Sequence, residues 1–208
     1  MAGRNKKIKT IKKILLIITF LCIYNFHLQA RIIIALQPLG APLPSAVVET
    51  VKKGIKELYQ ADVVVLPRKD LPAQAYYKPR KRYRAEKLLD YLETIDQKKY
   101  TKIVGLTQKD ISTTKGKYID WGILGLGTLG GRACVVSTFR LKRNVTNKKF
   151  LERLVKVINH ELGHTFGLEH CPDKGCLMQD AGGTVRTVDR EKNNFCERCR
   201  KRLQTILK

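Results

Sequence analysis

The chain has 208 residues, 43% of them hydrophobic, and carries a net charge of +23. That length and apolar content suit one domain with a real core, and the lack of any internal repeat or Pro/Ser-rich linker excludes a repeat array or a string of modules. So strong a basic excess suits an acidic partner, such as an anionic surface, an acidic protein or nucleic acid, but no nucleic-acid motif accompanies it, so specific nucleic-acid binding is not expected.

Residues 1–30 differ from the rest. Arg4, Lys6, Lys7, Lys9, Lys12 and Lys13 precede a largely apolar run at 14–26, and Ala30 follows closely. This is the layout of a secretory signal peptide, or of an N-terminal membrane anchor if it is not cleaved. The expectation is a signal or anchor at 1–30, a single catalytic domain at 31–208, and an exported (periplasmic or secreted) or membrane-anchored protein rather than a cytoplasmic one. A monomer is expected.

From residue 32 onward, short β-branched runs at 32–36, 63–66 and 102–106 predict strands. Between them, Val47, Val48, Val51, Ile55 and Leu58 predict a helix over 45–59, and Leu88, Leu89 and Leu92 one over 85–94. Strands alternating with helices predict an α/β (α+β) fold with a mixed, mostly parallel twisted sheet. The stretch 122–131 holds five glycines, without the Lys-Ser/Thr of a phosphate loop. It is expected to be a flexible approach to an edge strand at 133–138. Val135, Val136 and Ser137 would there pair with an extended substrate by strand addition. Cys134 on the same strand reads as a small buried hydrophobe.

Thr146 is the expected N-cap of a further helix. Leu151, Val155, Ile158, Leu162 and Phe166 form its apolar stripe, with His160 and His164 on roughly the opposite side. Positions i and i+4 lie nearly above one another on a helix, so these two imidazoles face one way. Gly167 is a natural helix stop, after which the chain can turn and bring back His170. Three protein ligands leave a fourth zinc position open, as in catalytic sites. Glu161, beside the first ligand, is the expected general base for a metal-activated water whose pKa is lowered toward about 7. Three of the four histidines in the chain lie in this stretch.

The next residue begins a second cluster. Cys171 and Cys176 are followed, after nineteen intervening residues, by Cys196 and Cys199. Two short-spaced pairs read as a closed, structural four-cysteine zinc site. Two disulfides are the alternative. The cluster would also fix Met178, two residues past Cys176.

His160 through Cys171, then Cys176, Met178, Cys196 and Cys199, resembles the archaemetzincin family of zinc metallopeptidases, whose pattern is HExxHxxGxxHC-x4-C-x-M-x17-C-x2-C. Every element is present here, and the resemblance extends over roughly residues 31–208. It implies a compact metzincin-like domain with an active-site helix and a C-terminal helix. It implies two Zn²⁺ per chain, catalytic on His160, His164 and His170 and structural on the four cysteines, with Glu161 as base and Met178 in the Met-turn. The implied activity is hydrolysis of peptide bonds in a peptide or protein substrate. A basic, zinc-stabilised binding module is the alternative, though a pure binder has no need of Glu161. Aminopeptidase rather than endopeptidase action would require an acid for the substrate α-amine, for which Glu169 is the candidate.

Overall fold

The computed structural model describes residues 31–207. Among them the strands are β1 (Ile33–Leu39), β2 (Asp62–Val65), β3 (Tyr76–Tyr77), β4 (Arg82–Arg84), β5 (Lys102–Thr107), β6 (Ile111–Lys115), β7 (Tyr118–Ile123), β8 (Gly125–Gly127) and β9 (Ala133–Ser137). The helices are α1 (Ser45–Tyr59), α2 (Ala85–Glu93), α3 (Thr138–Leu141), α4 (Asn147–Thr165), α5 (Val185–Arg190) and α6 (Glu197–Ile206).

The central sheet runs β2-β1-β5-β9-β8. Its first four strands are parallel, and β8 alone runs antiparallel, against β9. Helices cover both faces, which is why its inner strands read as unbroken apolar runs. The alternation of side chains then sorts residues between two cores. Ile34, Leu36, Cys134 and Val136 pack on the side of α1 and α4. Ala35, Leu39, Ala133 and Val135 pack under Leu88, Leu89 and Leu92 of α2. Cys134 is fully buried on the α1 and α4 side, as its reading as a small hydrophobe requires.

A second, smaller sheet, β3-β4-β6-β7, stands beside the first. Buried and half-buried ion pairs brace it: Asp110 lies 3.1 Å from Arg82 Nε and accepts from Arg140 at 2.7 Å, and Asp120 accepts from Arg82 Nη1 at 3.1 Å. Its strands are short, two to six residues, and although β3-β4 and β6-β7 pair locally, β4 meets β6 only across the intervening α2 and β5, so the periodicity of the chain did not announce the sheet.

Two expectations about the glycine stretch are corrected. Residues 122–131 are not a loose approach; they form the end of β7, all of β8 and a tight turn closed by Gly131 N donating to Thr128 O at 2.9 Å. Nor is Ala133–Ser137 an edge. It is sandwiched between β5 and β8, and Val135, Val136 and Ser137 are 0% exposed. Its backbone groups are already paired on both sides, leaving none for a substrate strand. The edge is β8.

The expectation of an exported or membrane-anchored protein is also corrected. No helix among the described residues is long and apolar enough to cross a membrane. The longest, α4, has 19 residues but carries Lys148, Lys149, Glu152, Arg153 and Lys156, which are costly in hydrocarbon. The basic and apolar segment at 1–30 on which that expectation rested lies outside the described residues.

Candidate active site and metal centres

α4 begins where the sequence indicates: Thr146 Oγ1 accepts from Lys149 N at 3.3 Å. It ends in a Schellman motif. Leu168 N donates to Gly163 O at 3.0 Å and Gly167 N to His164 O at 2.8 Å, with Gly167 at φ +82°. That left-handed residue turns the chain so that the exposed His170 meets the two helical histidines. The helix is buried on more sides than one stripe, however. Leu154, Val157, Asn159 and Glu161 are buried together with Ile158 and Leu162, because α1, β8 and the loop after the helix all close upon it.

The ligand nitrogens of His160, His164 and His170 lie within 4.8 Å of one another. His160 Nδ1 is 2.7 Å from Leu177 O, and His164 Nδ1 is 2.8 Å from Leu168 O. Each carbonyl accepts a hydrogen bond from a protonated Nδ1, so in the neutral ring each Nε2 carries a lone pair. Those two lone pairs face each other at 3.1 Å. Two acceptors so close repel unless a cation sits between them. A tetrahedral zinc with Zn–N near 2.0–2.1 Å sets its ligands about 3.3 Å apart, so the donor set fits. Burial, and then neighbouring His164, push His160 down to about 4, which keeps it neutral.

Glu161 lies against β8. A Cβ on Gly125 would stand 2.7 Å from Glu161 Cγ, and one on Gly127 2.4 Å from Glu161 O. These two glycines let the edge strand reach the helix, and the sequence reading did not single them out. Burial pushes the Glu161 carboxyl up to about 8, opposed by a hydrogen bond from Gly127 N. Lys102 ties the strand down: its Nζ donates to Gly131 O and Thr165 O, each at 2.7 Å.

Met178 is fully buried below the helix. A Cβ on Gly163 would stand 2.4 Å from Met178 Sδ, so the glycine between the two helical histidines is there for close approach. Met178 O accepts from Cys171 N at 2.8 Å.

Cys171, Cys176, Cys196 and Cys199 converge, with all four sulfurs within 4.8 Å of one another. The four are free thiols, so the alternative of two disulfides is not adopted. Cys171 Sγ lies 3.7 Å from Cys196 Sγ, and Cys176 Sγ 3.8 Å from Cys199 Sγ. A tetrahedral zinc with Zn–S near 2.3 Å requires about 3.8 Å between sulfurs. Arg198 Nη2 donates to Cys171 Sγ at 3.1 Å, a cation placed for thiolate charge. Burial opposes ionisation of Cys171, but Arg198 and backbone donors outweigh it.

The histidines open onto a cleft of about 520 Å³. β8 forms one wall, Ala181 to Gly183 another, and Trp121 of β7 stands over it. Val135, Val136 and Ser137 do not line it. Glu169 does, but is 64% exposed and lies 3.6 Å from Arg202.

Comparison with known proteins agrees with this geometry. The model of peptidase family M54 matches residues 42–205. The chain belongs to that family. It is 38% identical over 167 residues to the archaemetzincin of Methanopyrus kandleri, covering 80% of this chain and 91% of that one. It is 34% identical over 172 residues to the archaemetzincin of Halobacterium salinarum, covering 79% and 95%. The crystal structure of the M. kandleri protein superposes with a TM-score of 0.76, covering 88% of this chain and 98% of that one at 36% identity. That of the Archaeoglobus fulgidus archaemetzincin, solved with malonate, gives 0.70 at 33% identity, covering 82% and 99%. The archaemetzincin resemblance and the metzincin-like α/β fold are thereby confirmed. As an M54 peptidase with these metal-binding clusters, the chain is a zinc-dependent metallopeptidase.

Proposed function

We propose that the catalytic domain spans residues 31–208 and binds two Zn²⁺, one on His160, His164 and His170 and one on the four cysteines, with Glu161 as the general base. The observation that carries this is the pair of Nε2 lone pairs facing each other at 3.1 Å beside a buried carboxylate at the mouth of a peptide-sized cleft. Zinc on the histidines supplies a Lewis acid for the scissile carbonyl and for the attacking water.

The remaining chemistry belongs to the chain. Glu161 takes a proton from the water and gives it to the leaving amine. Left alone in its buried setting its carboxyl would hold that proton; a dication on the neighbouring histidines favours the ionised form a base needs. Gly127 N steadies that form. His160 and His164 are held in the right tautomer by Leu177 O and Leu168 O, so each offers Nε2. The unpaired side of β8 is the place for an extended substrate to add as a further strand. Cleavage within a chain is favoured over aminopeptidase action, because Glu169 is exposed and lies against Arg202 instead of pointing a free carboxylate at an α-amine.

The four-cysteine cluster is structural: its ligands are all thiols, and it reaches the active site through Leu177, whose carbonyl holds His160 while its neighbour Cys176 is a ligand. The test is Glu161→Gln in zinc-loaded protein. Two zinc per chain should remain by mass spectrometry, while peptide hydrolysis falls by about 10²–10⁴-fold. A fully active variant would remove Glu161 from the role.

A further inference from the structure

One buried acid in the cleft has no part in the chemistry described so far. Glu191, directly after α5, is 4% exposed, and its Oε2 has no hydrogen-bond partner. It lines the same cleft as the histidines. The same cleft is also lined by the buried apolar residues Leu124, Val157 and Val188, the last of them three residues before Glu191 in sequence. Val157 lies one helical turn before Glu161 on the same face of α4, so this end of the cleft adjoins the reacting groups.

Lys156, whose charge acts on this carboxyl, makes no ion pair with it. Lys156 Nζ donates to the main-chain carbonyls of Val188 at 2.9 Å and Glu191 at 2.7 Å. It pins the end of α5 and leaves the side chain of Glu191 unmatched. An unmatched buried carboxylate is costly, and a hydrocarbon-lined pocket ending in one is complementary to a long aliphatic chain ending in a cation.

We propose that Glu191 is a specificity-determining residue that receives a lysine or arginine side chain of the substrate, from a position adjacent to the scissile bond. The inference rests on the peptidase reading above. The apolar walls take the methylenes and Glu191 takes the charge, as a hydrogen-bonded ion pair formed only when substrate is bound. Burial pushes the Glu191 carboxyl up to about 7, which agrees with an acid kept waiting for a partner.

The test uses full-length, zinc-loaded protein and pairs of peptides identical except for lysine or norleucine on either side of the bond cut. Peptidyl hydroxamates with the same two side chains supply a binding readout that does not depend on turnover. The native protein should favour lysine over norleucine by at least about tenfold in kcat/KM and in hydroxamate affinity, because an unpaired buried group penalises the ligand that cannot match it. In Glu191→Gln that ratio should fall toward one. Equal use of both side chains by the native protein overturns the inference even if the variant does not fold. An unchanged lysine preference in a folded Glu191→Gln overturns it as well. If neither peptide is cleaved and neither hydroxamate binds, the peptidase reading fails and this inference with it.

Discussion

Glu161 and Glu191 are both buried carboxyls in one cleft, and both are pushed up by burial. They differ in what lies near them. Glu161 adjoins the three histidines and takes a hydrogen bond from Gly127, whereas Glu191 meets a hydrocarbon wall and Lys156, whose charge is already engaged. Glu191 therefore imposes a cost whose pH dependence can be measured. Its carboxyl rises from 4.5 to about 7 on folding, opposed by Lys156. As pH rises through that window the unfolded chain loses this proton before the folded one does, so unfolding free energy falls, by about 2 kcal/mol once solvent screening of the carboxyl is allowed for. Glu191→Gln has no proton to lose. Its melting temperature should match the native protein's near pH 4.5 and exceed it by roughly 5 °C above pH 7.5. A difference that does not grow with pH would mean that Glu191 is not held in this state.

At the scale of elements, the site is an edge strand pressed onto a helix. Gly127 makes this possible, since a Cβ there would stand 2.4 Å from the backbone oxygen of Glu161. Backbone cannot yield as the end of a side chain can, so Gly127→Ala must lift β8 away from α4. A displacement of about 1 Å at reacting groups can cost about 10²-fold in rate. The variant should retain its zinc and lose activity to that extent, read as kcat/KM beside metal content; native activity would show that strand and helix are not in register for catalysis. The helices 45–59 and 85–94 were legible because their apolar spacing is local. The order β5-β9-β8 was not, because nothing in the run 133–137 records that β8 folds back on one side of it or that the more distant β5 pairs the other. That is why Val135, Val136 and Ser137, on an apolar run of edge-like length, lie in the interior, and the short glycine-bearing β8 lies outside.

At the scale of the molecule, the two candidate metal clusters share one loop but differ in openness. The histidine site has three protein ligands facing a cleft, and the cysteine site has four that are mostly buried. A chelator should therefore strip the first site before the second. At one zinc per chain, hydrolysis should be lost while near-ultraviolet dichroism persists. Removal of the second zinc should then release α6 and the segment holding Met178, because metal binding at a closed site is part of the folding free energy. Loss of structure together with the first zinc would contradict this division.

Spacing along the chain determined the chemistry. His160, Glu161, His164, Gly167 and His170 are set by helical geometry and one glycine stop, and the cysteine pairs by short loops, so their meeting needs little beyond local structure. What only the tertiary structure decided is what surrounds them. Leu168, which sets the tautomer of His164, lies only four residues on, but the strand at the cleft, the glycines that let it approach, the Leu177 carbonyl that sets His160 and the unmatched Glu191 come from segments outside α4. Each was chosen by packing against α4, and no local periodicity records which distant surface will be buried there.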